Sequence, residues 1–510
     1  MLSGYSFNRV RGAIVVAITL VFLARAASAQ EAASAEPKPM SLDEITSALR
    51  SSKLASATTN RALIKQIEQR GVAFEFTPEI ERVLTQDGAS AELIVGIREW
   101  LCEKYATLAR ECRDGDHDCR LMNYAKAIEV DPLDAARYDD RGSVYVDKGD
   151  FDAAIADFTK AIELVPTYAV AYASRGDVYL RMDKPNLALK DFDRAVELDP
   201  KEPIYVFNRA VAHNNAGNYT ASIADYNKYI LIKRDDPDAY INRGQNFYAL
   251  DDHNAAIRDF TRALTLDPKN VRALIGRGDS YTAAGRFDLA IRDFSRVLEL
   301  DKKNSQAYRS RGWAYFKLNA LDKAMADYAL AINADPRDAD NYVNRGLAFR
   351  EKKNAKAAIQ DLSKAIEIDP KNSIAYYFRG QINAERQEYL AAIEDLSKAI
   401  ELNDRDPDYY FERGGVFLEI GDHDKALSDY GRVIELSPKT AAAYVNRGVI
   451  YLRMGKHEQS IADATTAIKL DPSDPTAYEN RALSFEALGD SKRADADRRK
   501  AALLEKAKKS

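Results

Sequence analysis

The chain has 510 residues, 46% hydrophobic and 30% charged, with a formal net charge of −5 at pH 7. That apolar share is ample for an extended core. The mildly acidic balance argues against a nucleic-acid partner, which selects clustered basic faces.

At the N-terminus, Arg9 and Arg11 precede an apolar stretch from Gly12 to Ala24, followed by Ala27-Ser28-Ala29 and Gln30. A basic start, a short apolar core and a small-x-small site predict a signal peptide over 1–29, cleaved after Ala29, and a periplasmic or secreted product. The stretch is short of the roughly 20 residues that a membrane span needs. Arg25 sits inside the small-residue region, so an uncleaved anchor stays open as the alternative. No cysteine follows the stretch, which argues against a lipoprotein, and no later apolar run could span a bilayer. Residues 30–40, rich in Ala, Glu, Ser and Pro, read as a disordered linker.

Residues 41–100 read as a small helical N-terminal module. Ser41-Leu42-Asp43-Glu44 has the form of a capping box, Gly71 and Gly88 are placed as helix terminators, and Thr77-Pro78 opens a further helix. The next segment, 101–134, fits half of the unit that follows it.

From Ala135 to Lys508 a 34-residue unit repeats eleven times without insertion. Arg-Gly recurs in that step at Arg141, Arg175, Arg243, Arg277, Arg311, Arg345, Arg379, Arg413 and Arg447, and becomes Arg-Ala at Arg209 and Arg481. A fixed period of this size means a stacked array. In the first unit, Tyr138, Gly142 and Tyr145 share one helical face. Gly149-Asp150 breaks that helix. Ala154, Ile155, Phe158, Ala161 and Ile162 form a second stripe, which ends at Val165-Pro166. One such hairpin cannot bury its apolar face alone; stacked neighbours do it.

These residues resemble the tetratricopeptide repeat family. Its small, aromatic and proline positions are met by Gly142, Tyr145, Ala154, Phe158, Ala161 and Pro166, and again by Gly312, Tyr315, Ala324, Tyr328, Ala331 and Pro336. Departures are local: His213, Ser222 and Tyr229 in repeat three, Asn383 in repeat eight, and Arg498 in the last unit, as suits a terminal cap. Tyr124, Ala127 and Pro132 continue the frame upstream, but Leu108 and Glu111 stand at its small and aromatic positions, so 101–134 reads as a degenerate capping repeat. The resemblance, to the secreted or periplasmic bacterial type, implies an all-α fold. Its core is a right-handed α-solenoid of stacked helix-turn-helix repeats that binds a protein or peptide partner without catalysis or cofactor.

Three cysteines, Cys102, Cys112 and Cys119, cluster in the degenerate unit. Cys102 and Cys112 lie ten residues apart on one predicted helix, about 15 Å along its axis. That exceeds the roughly 4.4–6.8 Å a disulfide allows. Cys112 and Cys119 flank a turn and can meet, which predicts a disulfide between them in an oxidising compartment. A metal site using His117 is the alternative, although no second paired motif supports it.

An aspartate follows each ladder arginine by 16 residues, from Asp157 to Asp497. The expectation is an Arg–Asp pair in every unit, made within a repeat or to the next repeat's arginine. A row of arginines gripping an anionic ligand is the other possibility.

No catalytic constellation emerges. The five histidines, His117, His213, His253, His423 and His457, fall in different units, and no Gly-rich phosphate loop, Gly-x-Ser-x-Gly or His-Glu-x-x-His is present. The resemblance places partner contacts just before the Arg-Gly pair and one turn after it, in a concave groove. That gives Phe207, Asn208, Ile241, Asn242, Tyr248, Trp313, Phe316, Val343, Asn344, Tyr377, Phe378, Phe411, Val445 and Asn446. Aromatics supply contact area, and asparagines bond both halves of a peptide unit, so an extended segment suits them. Packing between repeats is the competing role for each. The lysine-and-asparagine clamp by which some members hold a terminal carboxylate is unmatched, with Asp177, Ile241 and Ile275 at the sites it would use. A structural subunit of an envelope assembly or export complex is the alternative function, and an enzyme the remote one.

Overall fold

The computed structural model describes residues 38–51 and 56–509; the expected signal peptide and most of the linker lie outside them. Among the described residues there are 27 helices. Extended pairing is limited to one isolated bridge between Met40 and Val72. None of these helices is long and apolar enough to cross a membrane. The chain divides after Ile232 into two compact units.

The first unit opens with helices Leu42–Ser51, Ser56–Arg70, Pro78–Gln86 and Ala91–Glu111. The capping box forms: Glu44 N–H donates to Ser41 Oγ, and Ser41 N–H donates to Glu44 Oε2. Thr77 caps the third helix by accepting from the Ile80 amide. Met40, expected at the end of the linker, is buried and belongs to this core. Its backbone brackets the chain beyond Gly71, accepting from Ala73 and donating to Gly71, both at 2.9 Å.

The boundary expected at 100/101 falls inside a continuous helix, Ala91–Glu111. Gly96 is carried within that helix, and no Pro or cap interrupts it, so module and capping repeat share a helix. Its C-terminal half packs on His117–Val130 through Ala106, Ala109 and Tyr124. Leu108, at the family's small position, turns outward and is exposed. Three regular hairpins complete the unit, beginning with Ala135–Lys148 and Phe151–Leu164.

The second unit holds eight hairpins, from Pro237–Ala249 with His253–Leu266 to Pro475–Ala487 with Ser491–Lys509. Each is local chemistry repeated. Asp236 caps Pro237–Ala249 by accepting from the Asp238 amide, with proline at the first turn. The turn inside each hairpin needs a left-handed residue, supplied by glycine at Gly285, Gly421, Gly455 and Gly489. Asp251, Asn319, Lys353 and Gln387 occupy the same turn at φ 58–62° without being glycine. The seam is tighter than the expected meeting of two small residues. A Cβ at Gly312 would stand 2.8 Å from the Tyr328 ring, and at Gly278 2.6 Å from the Phe294 ring. The glycine accommodates the ring; the alanines pack around it.

Candidate functional site

The arginine–aspartate ladder is complete and lies within repeats. In each of eleven units Arg Nε and Nη2 donate to the two carboxylate oxygens 16 residues on, as at Arg141–Asp157, both 2.7 Å, and Arg277–Asp293, both 2.7 Å. The remaining nitrogen reaches back one repeat where a polar side chain waits: Arg175 to Thr159, Arg311 to Ser295, Arg379 to Ser363 and Arg413 to Ser397, at 2.9–3.0 Å. Tyrosines three residues before the arginine cover its guanidinium, as Tyr308 covers Arg311 at 5.8 Å. In several units the same ring's hydroxyl donates to the carbonyl of the inter-repeat proline, as Tyr342 does to Pro336. Both fork nitrogens are thus spent on the seam, which removes them as a grip for an anionic ligand.

The expected contact residues sort into two groups. Ile241, Val343 and Val445 are 0%, 6% and 7% exposed and cannot meet a partner. They point between layers, Val343 into a cluster with Leu362 and Ile382, and Val445 against Ala467 and Ala477. In the first unit Phe207 packs on Tyr226 and Tyr229, with centroids 5.5 and 5.0 Å apart, and Asn208 is half-buried. In the second unit Phe411 meets Tyr430 edge-on at 5.5 Å, and Asn446 donates to the Tyr430 hydroxyl at 3.1 Å. Tyr377 lies between Phe378 and Tyr409, centroids 5.1 and 4.9 Å away, and accepts from Gln381. Asn242 accepts from Arg272 at 2.9 Å. Tyr248 is exposed beside the His253 ring. Trp313 and Phe316 stack nearly parallel at 5.4 Å, with the Lys317 ammonium 4.6 Å over the indole.

Side chains of three successive first helices meet beside Trp313. Asp279 and Thr282 from Val271–Ala283, Arg309 and Ser310 from Ser305–Lys317, and Asn344 from Ala339–Glu351 line a cleft of about 240 Å³ with it. Burial raises the Asp279 carboxyl to about 6, while the Ser310 hydroxyl and the Arg309 charge pull it back. Asp279 escapes a reading of the sequence because its surroundings come from three different repeats. The visible signal was an aspartate two residues after Arg277, at the repeat position that Trp313 holds in the next unit.

Four histidines share a repeat position that the scatter along the chain hides. His117, His253, His423 and His457 each open a second helix. His213 stands at the family's aromatic position, and burial lowers its pKa, so it fills that volume as a neutral ring. Cys112 and Cys119 face each other across the turn with Cα atoms 6.0 Å apart, a separation that a disulfide allows. Cys102 is buried, and burial pushes its thiol up to about 11.

Family models agree with the repeat frame. "TPR repeat" matches residues 142–183, 346–385 and 414–455, and "Tetratricopeptide repeat" models match 173–240, 276–339, 237–270, 441–474 and 374–406. No curated protein matches the chain. Among solved structures, MamA is 27% identical over 32% of this chain and 95% of its own, with a TM-score of 0.31. A tetratricopeptide repeat protein of Parabacteroides merdae is 22% identical over 48% of this chain and 97% of its own, with a TM-score of 0.41. Yeast Tom70 is 19% identical over 80% of this chain and 92% of its own, with a TM-score of 0.37. With its eleven 34-residue hairpins and matches running from residue 142 to 474, the chain belongs to the tetratricopeptide repeat family.

Proposed function

We propose that this protein is a non-catalytic scaffold that holds an extended protein segment along the first helices of its second unit. One observation carries the proposal. The ladder consumes the arginines and aspartates of the seams, and aromatic and amide surface around Trp313 is left facing outward between neighbouring first helices. Aromatic rings beside amides suit a peptide backbone with apolar side chains. We further propose that the protein works outside the cytosol, supported by the export-type start and by the Cys112–Cys119 pair, a bond that oxidising compartments sustain.

A photo-crosslinking residue at position 313, set against one at the partly exposed Lys364 on a second helix, tests the face in living cells. Discrete partners captured from 313 are expected, and Trp313→Ala should weaken their binding by about 2 kcal/mol or more, as an anchor does. Capture from 364 alone would move the surface to the second helices. N-terminal sequencing that begins at Met1, in protein recovered from the cytosol with three free thiols, would overturn the export proposal.

A further inference from the structure

We propose that the cleft of Asp279, Ser310, Trp313 and Asn344 is a pocket for one cationic side chain, an arginine or lysine of the bound segment. This deepens the scaffold reading and rests on it.

The lining sets acceptors beside an aromatic ring, and its one cation, Arg309, is held by Asp338. Asp279 offers a carboxylate and Asn344 an amide oxygen, while Thr282 spends its hydroxyl proton on the Gly278 carbonyl at 3.0 Å and keeps acceptor lone pairs. Guanidinium and ammonium groups are donor-only cations that pair with carboxylates and are drawn to indole rings. A volume of about 240 Å³ is below the roughly 300–1,000 Å³ of small-molecule sites and of a size for one side chain.

The charge pattern points the same way. Neighbouring arginines already have partners: Arg277 with Asp293, Arg309 with Asp338, Arg272 with Asp238, and Arg350 with Glu385. Among the described residues none forms a salt bridge with Asp279, whose carboxyl has only the Ser310 hydroxyl and the more distant Arg309 charge acting on it. Burial raises its pKa, against the pull of those two groups. Lys317, already over the indole, is the local competitor for an incoming cation.

The test uses the full chain labelled with 5-fluorotryptophan, its Trp313 fluorine resonance assigned by Trp313→Phe. The probes are the Nα-acetyl amides of arginine, lysine, citrulline and glutamate. Saturable shifts of Trp313 are expected with arginine and lysine, at least tenfold weaker with citrulline, the neutral isostere of arginine. Asp279→Asn should abolish that discrimination, and Lys317→Met should leave cation binding unchanged or tighter. Equal response to arginine and citrulline in the wild-type chain overturns the pocket by itself, whatever the variants do. So does preference for the glutamate amide, which would make Arg309 and Lys317 the recognising groups. A peptide array separates the two levels of the proposal. Peptides captured along the face with no dependence on Lys or Arg remove the cation pocket and leave the scaffold. Binding of the arginine amide with capture of no peptide removes the scaffold reading and leaves the pocket.

Discussion

The N-terminal module and the second unit bury apolar surface in opposite ways. In the module one cluster gathers Met40, Ile45, Leu63, Ile67, Val72, Leu84, Leu93, Ile97 and Leu101, drawn from every helix and from the chain before the first. Its ion pairs sit at the rim, as Arg50–Asp87, where the arginine is 66% exposed. The second unit divides its core into small clusters, such as Ala290, Phe294 and Ala314, or Ala324, Tyr328 and Ala348. Each unit there carries its own sunken ion pair, with Asp293 8% and Arg277 21% exposed at the side chain. A shared cluster makes stability collective, whereas a chain of nearest neighbours makes it a sum of local terms. The same defect should therefore spread through the module and stay confined in the array.

Glycine at a left-handed turn gives the largest expected contrast. Gly71, at φ +72°, would place a Cβ 2.2 Å from the Trp100 ring, and its N–H and C=O are both used, by Ile67 and Met40. Gly71→Val should cost more than about 4 kcal/mol, since it adds left-handed strain to overpacking. The whole module should then lose hydrogen-exchange protection in one step. Gly285, at φ +71°, leaves open space: a Cβ there would meet nothing within 4 Å. Gly285→Ala should cost only about 1 kcal/mol, the backbone term alone. Equal losses of melting stability would break the comparison.

The ladder tests confinement directly. Asp293→Ala leaves Arg277 unpaired in the seam and should cost roughly 2–3 kcal/mol, toward the lower end for a buried pair because the arginine is partly exposed. Adding Arg277→Ala should recover part of that loss. Hydrogen exchange should quicken in Val271–Ala283 and Phe287–Leu300 and fade within a neighbouring hairpin. Uniform loosening of the second unit would show that the array melts collectively after all.

What was legible in the sequence follows the same division. Wherever a 34-residue step repeats, eleven copies average out local noise, so the seams, the proline turns and the Arg–Asp spacing could be read directly. The pairing of each aspartate with its own repeat's arginine could not, because helix orientation decides between two arginines. In the module nothing repeats, so the unbroken helix through Leu101 and the burial of Met40 left no periodic trace. The contact residues divided for a subtler reason. Ile241, Val343 and Val445 stand two before their arginine, at the edge of the helix face where a small rotation separates groove from core. Phe207, Tyr377 and Phe411 hold the same position and remain partly exposed because large rings overflow the layer. Asp279 was invisible as a site, since no single repeat contains its neighbours.

Asp279 also offers a milder test of local bookkeeping in the array. Its folded pKa of about 6 lies above the ordinary 3.8, so the folded state binds more protons between those values. Stability should therefore fall as pH rises from about 4 to about 6 and then level off. Asp279→Asn should remove that slope and raise stability at pH 7 by on the order of 1–2 kcal/mol, discounted for partial solvent exposure. Thermal melts of both chains across that range decide it; a slope that survives in Asp279→Asn belongs to another group.

The smallest effect concerns the hairpin turns. Lys353 sits at φ 59° and Asn319 at φ 58°, in the turn that Gly285 and Gly421 fill elsewhere. A left-handed lysine carries strain of roughly 1–2 kcal/mol, from which the extra chain entropy of an unfolded glycine subtracts about 0.4–1. Lys353→Gly should thus stabilise by about 0.5 kcal/mol. Asparagine tolerates the left-handed region, because its short polar side chain bonds locally, so Asn319→Gly should be near neutral. The difference between the two substitutions isolates the side-chain term from the entropy term common to both. If the turns are as independent as the array requires, the gain from Lys353→Gly should be the same in the wild-type chain and in Asp293→Ala, two hairpins away. A gain that changed with the distant ladder pair would place coupling between repeats two apart in the array, and the additive picture of the second unit would give way to a collective one.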